Sequence, residues 1–400
     1  VTQNMQQKNS WILPEGIEEI LPEDAKHLEG LRSKLLEMFA CWGYDLVIPP
    51  FIDFLDSLLT GSGHDLDLQT FKLTDQVSGE MLGVRADMTP QVARIDAHNL
   101  KHEWPTRLCY VGTILNARSD PLHKTRSPMQ IGAELYGHAG KESDVEVIRL
   151  MLEMLALTGL QNIHLDLGHV GIYRAISRQA GLTELQESEL FGVLQRKARP
   201  ELQGLMDSYA INADLKAMLL KLPELNGGKD VLDKARTVFL KANKEVKEAL
   251  ADLESIAEKL VVRFPFLPIS FDLAELRGYH YHTGIVFAAF VPSIGREIAR
   301  GGRYDNIGAV FGRARPATGF SADLKLLSSL SKQYCQVKQR KLIFAPYTED
   351  VQLNEKIREL RANQQAVVQQ LPGQTGSAKE LGCTSILEQD NQIWVVRPLA

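Results

Sequence analysis

The stretch Arg277-Gly278-Tyr279-His280-Tyr281-His282-Thr283-Gly284-Ile285-Val286-Phe287, followed by Gly301-Gly302-Arg303-Tyr304-Asp305, decides how this chain is read. Its second half is β-branched and aromatic, which predicts a buried strand. Ahead of that strand sit one Arg, two His, two Tyr and two Gly, a polar aromatic cluster beside backbone that can come close to a ligand. The planar fork of Arg277 suits a carboxylate, because it can bind both oxygens at once. His280 and His282 alternate with the tyrosines and could form a metal pair, but no third ligand is evident and no metal is expected. Gly301-Gly302-Arg303 lacks the glycine frame of a dinucleotide or P-loop site, and no cofactor is expected.

Four hundred residues suggest two or three domains with a large core. A 44% hydrophobic, 24% charged composition is that of an ordinary soluble protein. The formal net charge of −5 leaves no global positive field to hold a polyanion such as tRNA. Short basic runs such as Lys338-Gln339-Arg340-Lys341 read as solvated surface. Cys41, Cys109, Cys335 and Cys383 show no CxxC spacing, so the expectation is reduced thiols and a cytoplasmic location. The first ten residues lack an apolar signal core, and no run of about 18 apolar residues predicts a membrane span.

Outward from the opening stretch, an α+β chain emerges. Pro22 opens an amphipathic helix carrying Leu28, Leu31, Leu35, Leu36 and Phe39, which Gly43 ends. Tyr44 to Pro50 reads as a strand stopped by proline; with the helix it leaves apolar surface over about 21–53 for self-association as a dimer. Strands are predicted at 71–73, 82–85, 107–115, 129–138, 163–167 and 269–272. Helices are predicted from Thr89 (as N-cap) to Leu100, from Asp144 to Leu157, and from Gly319 to Leu330. Between 171 and 262, Leu, Ala, Lys and Glu dominate, and the block reads as a helical insertion into a core of 11–170 and 263–332. Residues 338–400 form a small α/β unit: strands at 342–345 and 366–368, a helix at 351–361, a short helical stretch, and a last strand at 393–396.

Several stretches place polar groups together. Strand period puts Gln130, Gly132 and Glu134 on one face, offering an amide, a bare floor and a carboxylate to a cationic or hydrogen-bonding ligand. The same period aligns Arg85, Asp87 and Thr89, with Asp87 as an acceptor for an ammonium group. A polar edge strand and a structural ion pair are the plainer alternatives.

The order of these stretches resembles the class II aminoacyl-tRNA synthetases, and specifically the core of the histidyl-tRNA synthetase family, over about 11–330. Leu13-Pro14-Glu15-Gly16, Val84-Arg85-Ala86-Asp87-Met88-Thr89, Gln130-Ile131-Gly132-Ala133-Glu134, Arg277 to Phe287 and Gly301 to Asp305 each resemble a family stretch, in order and at comparable spacing. The resemblance implies an antiparallel sheet flanked by helices. It also implies a histidine pocket in which Asp87 and Thr89 hold the α-ammonium and Gln130 and Arg277 the carboxylate side. Glu134 would then face the imidazole N–H. The family's second signature Tyr is His282 here, beside the retained Tyr281.

Two departures redirect the function. The family's Arg for the ATP α-phosphate aligns with Asn116, and its Arg for the γ-phosphate aligns with Leu326. Phosphoryl chemistry needs cations where charge develops, and losing one such group costs about 10²–10³ in rate. A histidine pocket without that machinery resembles the regulatory-subunit family of ATP phosphoribosyltransferase, which carries no aminoacylation. That resemblance implies a hetero-oligomer with the short-form catalytic subunit in the first step of histidine biosynthesis. In it this chain activates its partner and transmits feedback inhibition by free histidine. A divergent active histidyl-tRNA synthetase and a scaffold with a vestigial pocket are the alternatives.

Overall fold

The protein is described from a computed structural model, which covers residues 11–59, 64–118, 125–276, 278, 281–292, 294–331 and 341–399. It divides into two compact units, Val1–Cys335 and Gln336–Ala400. In the first, helix α1 (Pro22–Cys41) buries Leu28, Leu31, Leu35 and Phe39 along one stripe. Gly43 then adopts a left-handed φ of +79° that a side chain would resist. Strands β1 (Asp45–Leu46) and β2 (Ile52–Phe54) follow, then short helices α2 (Leu55–Leu59) and α3 (His64–Gln69), and strands β3 (Phe71–Thr74) and β4 (Met81–Val84). The predicted strand over Tyr44–Pro50 is therefore two residues long, and Pro49 and Pro50, which donate no hydrogen bond, lie outside it. Helix α4 (Thr89–Arg94) runs into a π-turn at Ile95–Leu100.

Strands β5 (Thr106–Thr113) and β6 (Met129–Tyr136) pair antiparallel, and helix α5 (Lys141–Leu157) follows. After β7 (His164–His169) come α6 (Val170–Gln179), α7 (Glu184–Gln195), α8 (Arg199–Ser208), α9 (Ala213–Lys221), the two-residue β8 (Asn226–Gly227), α10 (Asp230–Val238) and α11 (Lys244–Arg263). Strands β9 (Ile269–Asp272), β10 (Ile285–Phe290), β11 (Glu297–Arg303) and β12 (Ala317–Asp323) lead to helix α12 (Leu324–Ser331).

Nine of these strands form one sheet in the order β1-β5-β6-β12-β11-β10-β7-β9-β8, antiparallel from β5 to β7. Leu155, Leu167, Ile176, Leu253, Phe287 and Phe320 belong to one continuous core, so the helices between β7 and β9 pack with the sheet. That block also adds a strand, because β8 pairs with β9. A second sheet has the order β2-β4-β3.

The predicted helix at Gly319–Leu330 is corrected: Ala317–Asp323 is a central strand, paired with β6 on one side and β11 on the other, and the helix begins only at Leu324. The alternative of a helix beginning at Gly319 would bury a glycine with no packing gain. As a strand, its bare Cα lets neighbouring groups close in, since a Cβ there would lie 1.5 Å from Glu134 Oε2.

The second unit has strands β13 (Leu342–Ala345), β14 (Ala366–Gln369), β15 (Ser385–Asp390) and β16 (Ile393–Pro398), with helix α13 (Val351–Ala362). Their order is β14-β13-β15-β16, parallel up to β15 and closed by an antiparallel hairpin. The expected helical stretch before the last strand is turns followed by β15, which the mixed composition of Ser385-Ile386-Leu387-Glu388-Gln389-Asp390 conceals.

Candidate functional site

The site forms where β5, β6, β12 and the β10–β11 edge bring polar groups into an otherwise apolar sheet. Glu134 on β6 is 1% exposed and stands opposite Leu108 on one side and Gly319 on the other. Its Oε1 accepts a 2.9 Å hydrogen bond from the Tyr110 hydroxyl, which lies 3.1 Å from Thr89 Oγ1. Gly132 is the floor under that tyrosine, because a Cβ there would meet the Tyr110 hydroxyl at 2.5 Å. Burial, foremost, pushes the Glu134 carboxyl well above its usual range.

Asp87 follows the end of β4. Its Oδ1 accepts from the Thr89 N–H at 3.0 Å and from Gln130 Nε2 at 2.8 Å, while Gln130 Oε1 accepts the Met88 N–H at 2.9 Å. Gln130 thus fixes the Asp87 turn, a tie that strand period alone did not disclose. Thr89 is the first residue of its helix and makes no side-chain cap; its hydroxyl faces Tyr110 instead. Arg85 does not share a face with Asp87. With β4 ending at Val84 the strand period stops, and its guanidinium donates to the carbonyls of Pro49 (2.7 Å) and Thr113 (3.0 Å).

On the other wall, Tyr281 stacks on Tyr304 at 4.8 Å between ring centroids, with an interplanar angle of 28°. Burial, and then the charges of Glu134 and Asp87, push the Tyr281 phenol well above its usual range, so both carboxyl groups act on it. His282 meets Tyr281 edge-on at 5.2 Å and sits between two glycines: a Cβ on Gly278 would lie 2.4 Å from its Nδ1, and one on Gly302 2.5 Å from its Cδ2. Arg277 lies outside the described residues.

The loop that carries these rings is anchored from below. The Thr283 N–H donates to the Arg303 carbonyl at 2.7 Å, and Thr283 Oγ1 donates to Asp305 at 3.1 Å. The Arg303 guanidinium reaches Asp144, the carbonyls of His138 and Gly140, and Ser143 Oγ, tying the loop to the start of α5. Burial raises the Asp144 carboxyl to about 6 against the opposing pull of Arg303.

Glu134 Oε2 and the hydroxyls of Tyr136, Tyr281 and Tyr304 are buried without a hydrogen-bond partner among the described residues. Buried polar atoms left in this way are costly, and their convergence marks a place built for a small ligand rich in donors and acceptors. Sequence reasoning missed Tyr110, Tyr136 and Tyr304. Tyr110 was findable, because strand period sets it on one face of β5 with Leu108 and Gly112. No group of three or more His, Cys, Asp or Glu side chains suited to a metal occurs among the described residues.

Two further positions, Asn116 and Leu326, are those that the resemblance assigns to lost ATP contacts. The Asn116 backbone accepts from Arg126 Nε at 3.0 Å, and Leu326 packs on the core. Neither carries a charge toward a phosphate. Among the described residues no helix is long and apolar enough to cross a membrane.

Residues 16–327 match the histidyl-tRNA synthetase family, and residues 340–397 match the family described as the ATP phosphoribosyltransferase subunit HisZ C-terminal domain. A protein of Methylococcus capsulatus named ATP phosphoribosyltransferase regulatory subunit is 57% identical over 98% of this chain and 96% of its own. A solved structure from Bacillus halodurans, described as an ATP phosphoribosyltransferase regulatory subunit/histidyl-tRNA synthetase, superposes with a TM-score of 0.82 at 29% identity, covering 94% of this chain and 97% of that one. Histidyl-tRNA synthetase from Nostoc shares the fold, with a TM-score of 0.75 at 16% identity and 97% of both chains covered. A synthetase-type sheet continued by this C-terminal unit, together with a full-length relative at 57% identity, places the chain in the ATP phosphoribosyltransferase regulatory-subunit family, a non-catalytic branch of the histidyl-tRNA synthetase fold.

Proposed function

We propose that this regulatory subunit senses free histidine in the pocket around Glu134 and transmits its occupancy to a short-form ATP phosphoribosyltransferase catalytic subunit, which it otherwise activates. The observation that carries the reading is Glu134 Oε2, buried beside three tyrosine hydroxyls and open to an imidazole N–H. In this reading Asp87 and Thr89 receive the α-ammonium, Gln130 and Arg277 the carboxylate side, and Glu134 the ring, with Tyr281 and His282 along its edge. Gln130 keeps one amide N–H for that purpose, the other being held by Asp87.

Histidine binding would order the Asp87 turn and the Tyr281–His282 loop and bias the contact with the catalytic partner. Couplings of this kind amount to about 1–3 kcal/mol and are reciprocal, so ligands of the partner's active site would shift histidine affinity in turn. Self-association is assigned to residues 21–53, where Leu46, Ile48, Phe51 and Ile52 are exposed. The helical insertion (171–262) and the C-terminal unit (338–400) are the candidate surfaces for the catalytic subunit, and the complex is assigned to the cytoplasm. Calorimetric titration with histidine, without ATP, should give saturable binding, and ATP–pyrophosphate exchange should stay at background. Absence of binding, or robust exchange, would overturn the reading.

A further inference from the structure

A groove of about 550 Å³ lies away from the Glu134 pocket, lined by Trp42, Gly43, Arg107, Glu146, Arg149 and Lys259 among others. It is walled by the end of α1, strand β5, helix α5 and helix α11, and its Trp42 and Gly43 belong to the 21–53 segment assigned above to self-association. Its charges are largely matched. Arg107 grips Glu146 through two bonds of 2.7 and 2.9 Å, and Lys259 lies 3.4 Å from Glu142.

Arg149 is different. Its guanidinium stands over the Trp42 ring, 5.5 Å from the centroid, and makes no ion pair among the described residues. Its Nε is buried with no hydrogen-bond partner among them. The carboxylates a turn away on either side along its own helix are engaged by others, Glu146 by Arg107 and Glu153 by the Trp42 indole N–H at 3.2 Å. A half-buried guanidinium with an unmet donor needs an acceptor, and a planar fork selects an oxyanion that can face it.

We propose that this groove is a binding site for a small oxyanion, phosphate or carboxylate, that carries a planar or apolar group. Arg149 faces the anion, and the indole of Trp42 lies against the apolar part. The volume admits a ligand of metabolite size, within the roughly 300–1,000 Å³ range of such pockets. The proposal is independent of the histidine reading.

The test uses the full chain at low ionic strength, where partly exposed charges are least screened. Phenyl phosphate, benzoate and inorganic phosphate are titrated calorimetrically, the first two separating the phosphate from the carboxylate source. Saturable binding of a ring-bearing probe, tighter than inorganic phosphate, is expected. Arg149→Ala should weaken it roughly tenfold or more, as loss of a charged hydrogen bond does. Arg149→Lys, which keeps the charge and loses the fork, should fall between, with circular dichroism confirming that both variants fold. No saturable binding of any probe, or equal affinity in folded Arg149→Ala, would overturn the proposal. So would a change of oligomeric state in Arg149→Ala by sedimentation, which would assign the groove to an acidic side chain of a second copy.

Discussion

Replacing Gly319 with alanine isolates the part of the proposed histidine pocket that owes most to a missing atom. The new Cβ would lie 1.5 Å from Glu134 Oε2, 2.4 Å from its Cδ and 2.7 Å from the Tyr304 hydroxyl. An ordinary carbon–oxygen contact begins near 3.4 Å, so the carboxylate would have to retreat by about 2 Å. Glu134 has little freedom to do so, being 1% exposed and held by Tyr110. Overpacking of this kind costs about 1–3 kcal/mol, a fall of several degrees at most in melting temperature for a unit of this size. The effect on the ligand should be larger relative to its binding energy, because the displaced group is the one assigned to the imidazole. Losing a charge-assisted hydrogen bond costs about 1.5–3 kcal/mol, or roughly 10–150-fold in affinity. Histidine titration by calorimetry, with a thermal melt of the same preparation, reads both. Wild-type histidine affinity in a folded Gly319→Ala chain would refute the placement of the ligand beside Glu134.

Three further outcomes follow from the same contacts. The folded chain holds the Glu134 proton more firmly than the unfolded one, so this group's contribution to stability falls as pH rises from about 4.3 toward its raised value. Urea denaturation between pH 5 and 8 should therefore show Glu134→Gln gaining on the wild type with pH, and a constant difference would count against the buried, raised carboxyl. Asp144→Asn strips the buried Arg303 of its main counter-charge and should cost about 3–5 kcal/mol in the same assay; a loss below about 1 kcal/mol would mean that the pair is not what holds the loop. Ile48 is 80% exposed, and Ile48→Glu should shift the chain toward monomer in sedimentation velocity, an unchanged distribution placing the self-association surface elsewhere.

Much of this molecule was legible in its residues, for reasons that differ from element to element. Helix α1 declares itself through a regular apolar stripe and a terminal glycine, and β10 through an unbroken apolar run. The strand at Ala317–Asp323 was hidden because its identity comes from its neighbours. Gly319 is tolerated in the sheet only because Glu134 and Tyr304 occupy the space its side chain would take. In isolation the segment blends into the helical pattern of Leu324–Ser331.

The site divides in the same way. Strand period set Gln130 and Glu134 on one face, but their burial in the middle of the sheet comes from the strands paired on either side, and Tyr281 stood in the opening stretch with its role given only by the resemblance. The link between Gln130 and Asp87 spans 43 residues and is a fact of tertiary packing. Tyr304 was in plain view beside Arg303, yet its role emerges only once the 4.8 Å stack on Tyr281 is seen. The uncharged side chains at Asn116 and Leu326 were readable directly, and it is the resemblance that assigns them to ATP positions.

The most direct test of regulation is to mix this chain with a short-form ATP phosphoribosyltransferase catalytic subunit and follow turnover with and without histidine. Activation by the mixture, reversed by histidine and made insensitive to it by Gly319→Ala, is the predicted result. Turnover indifferent to this chain, or histidine inhibition that survives in Gly319→Ala at wild-type concentrations, would contradict the account.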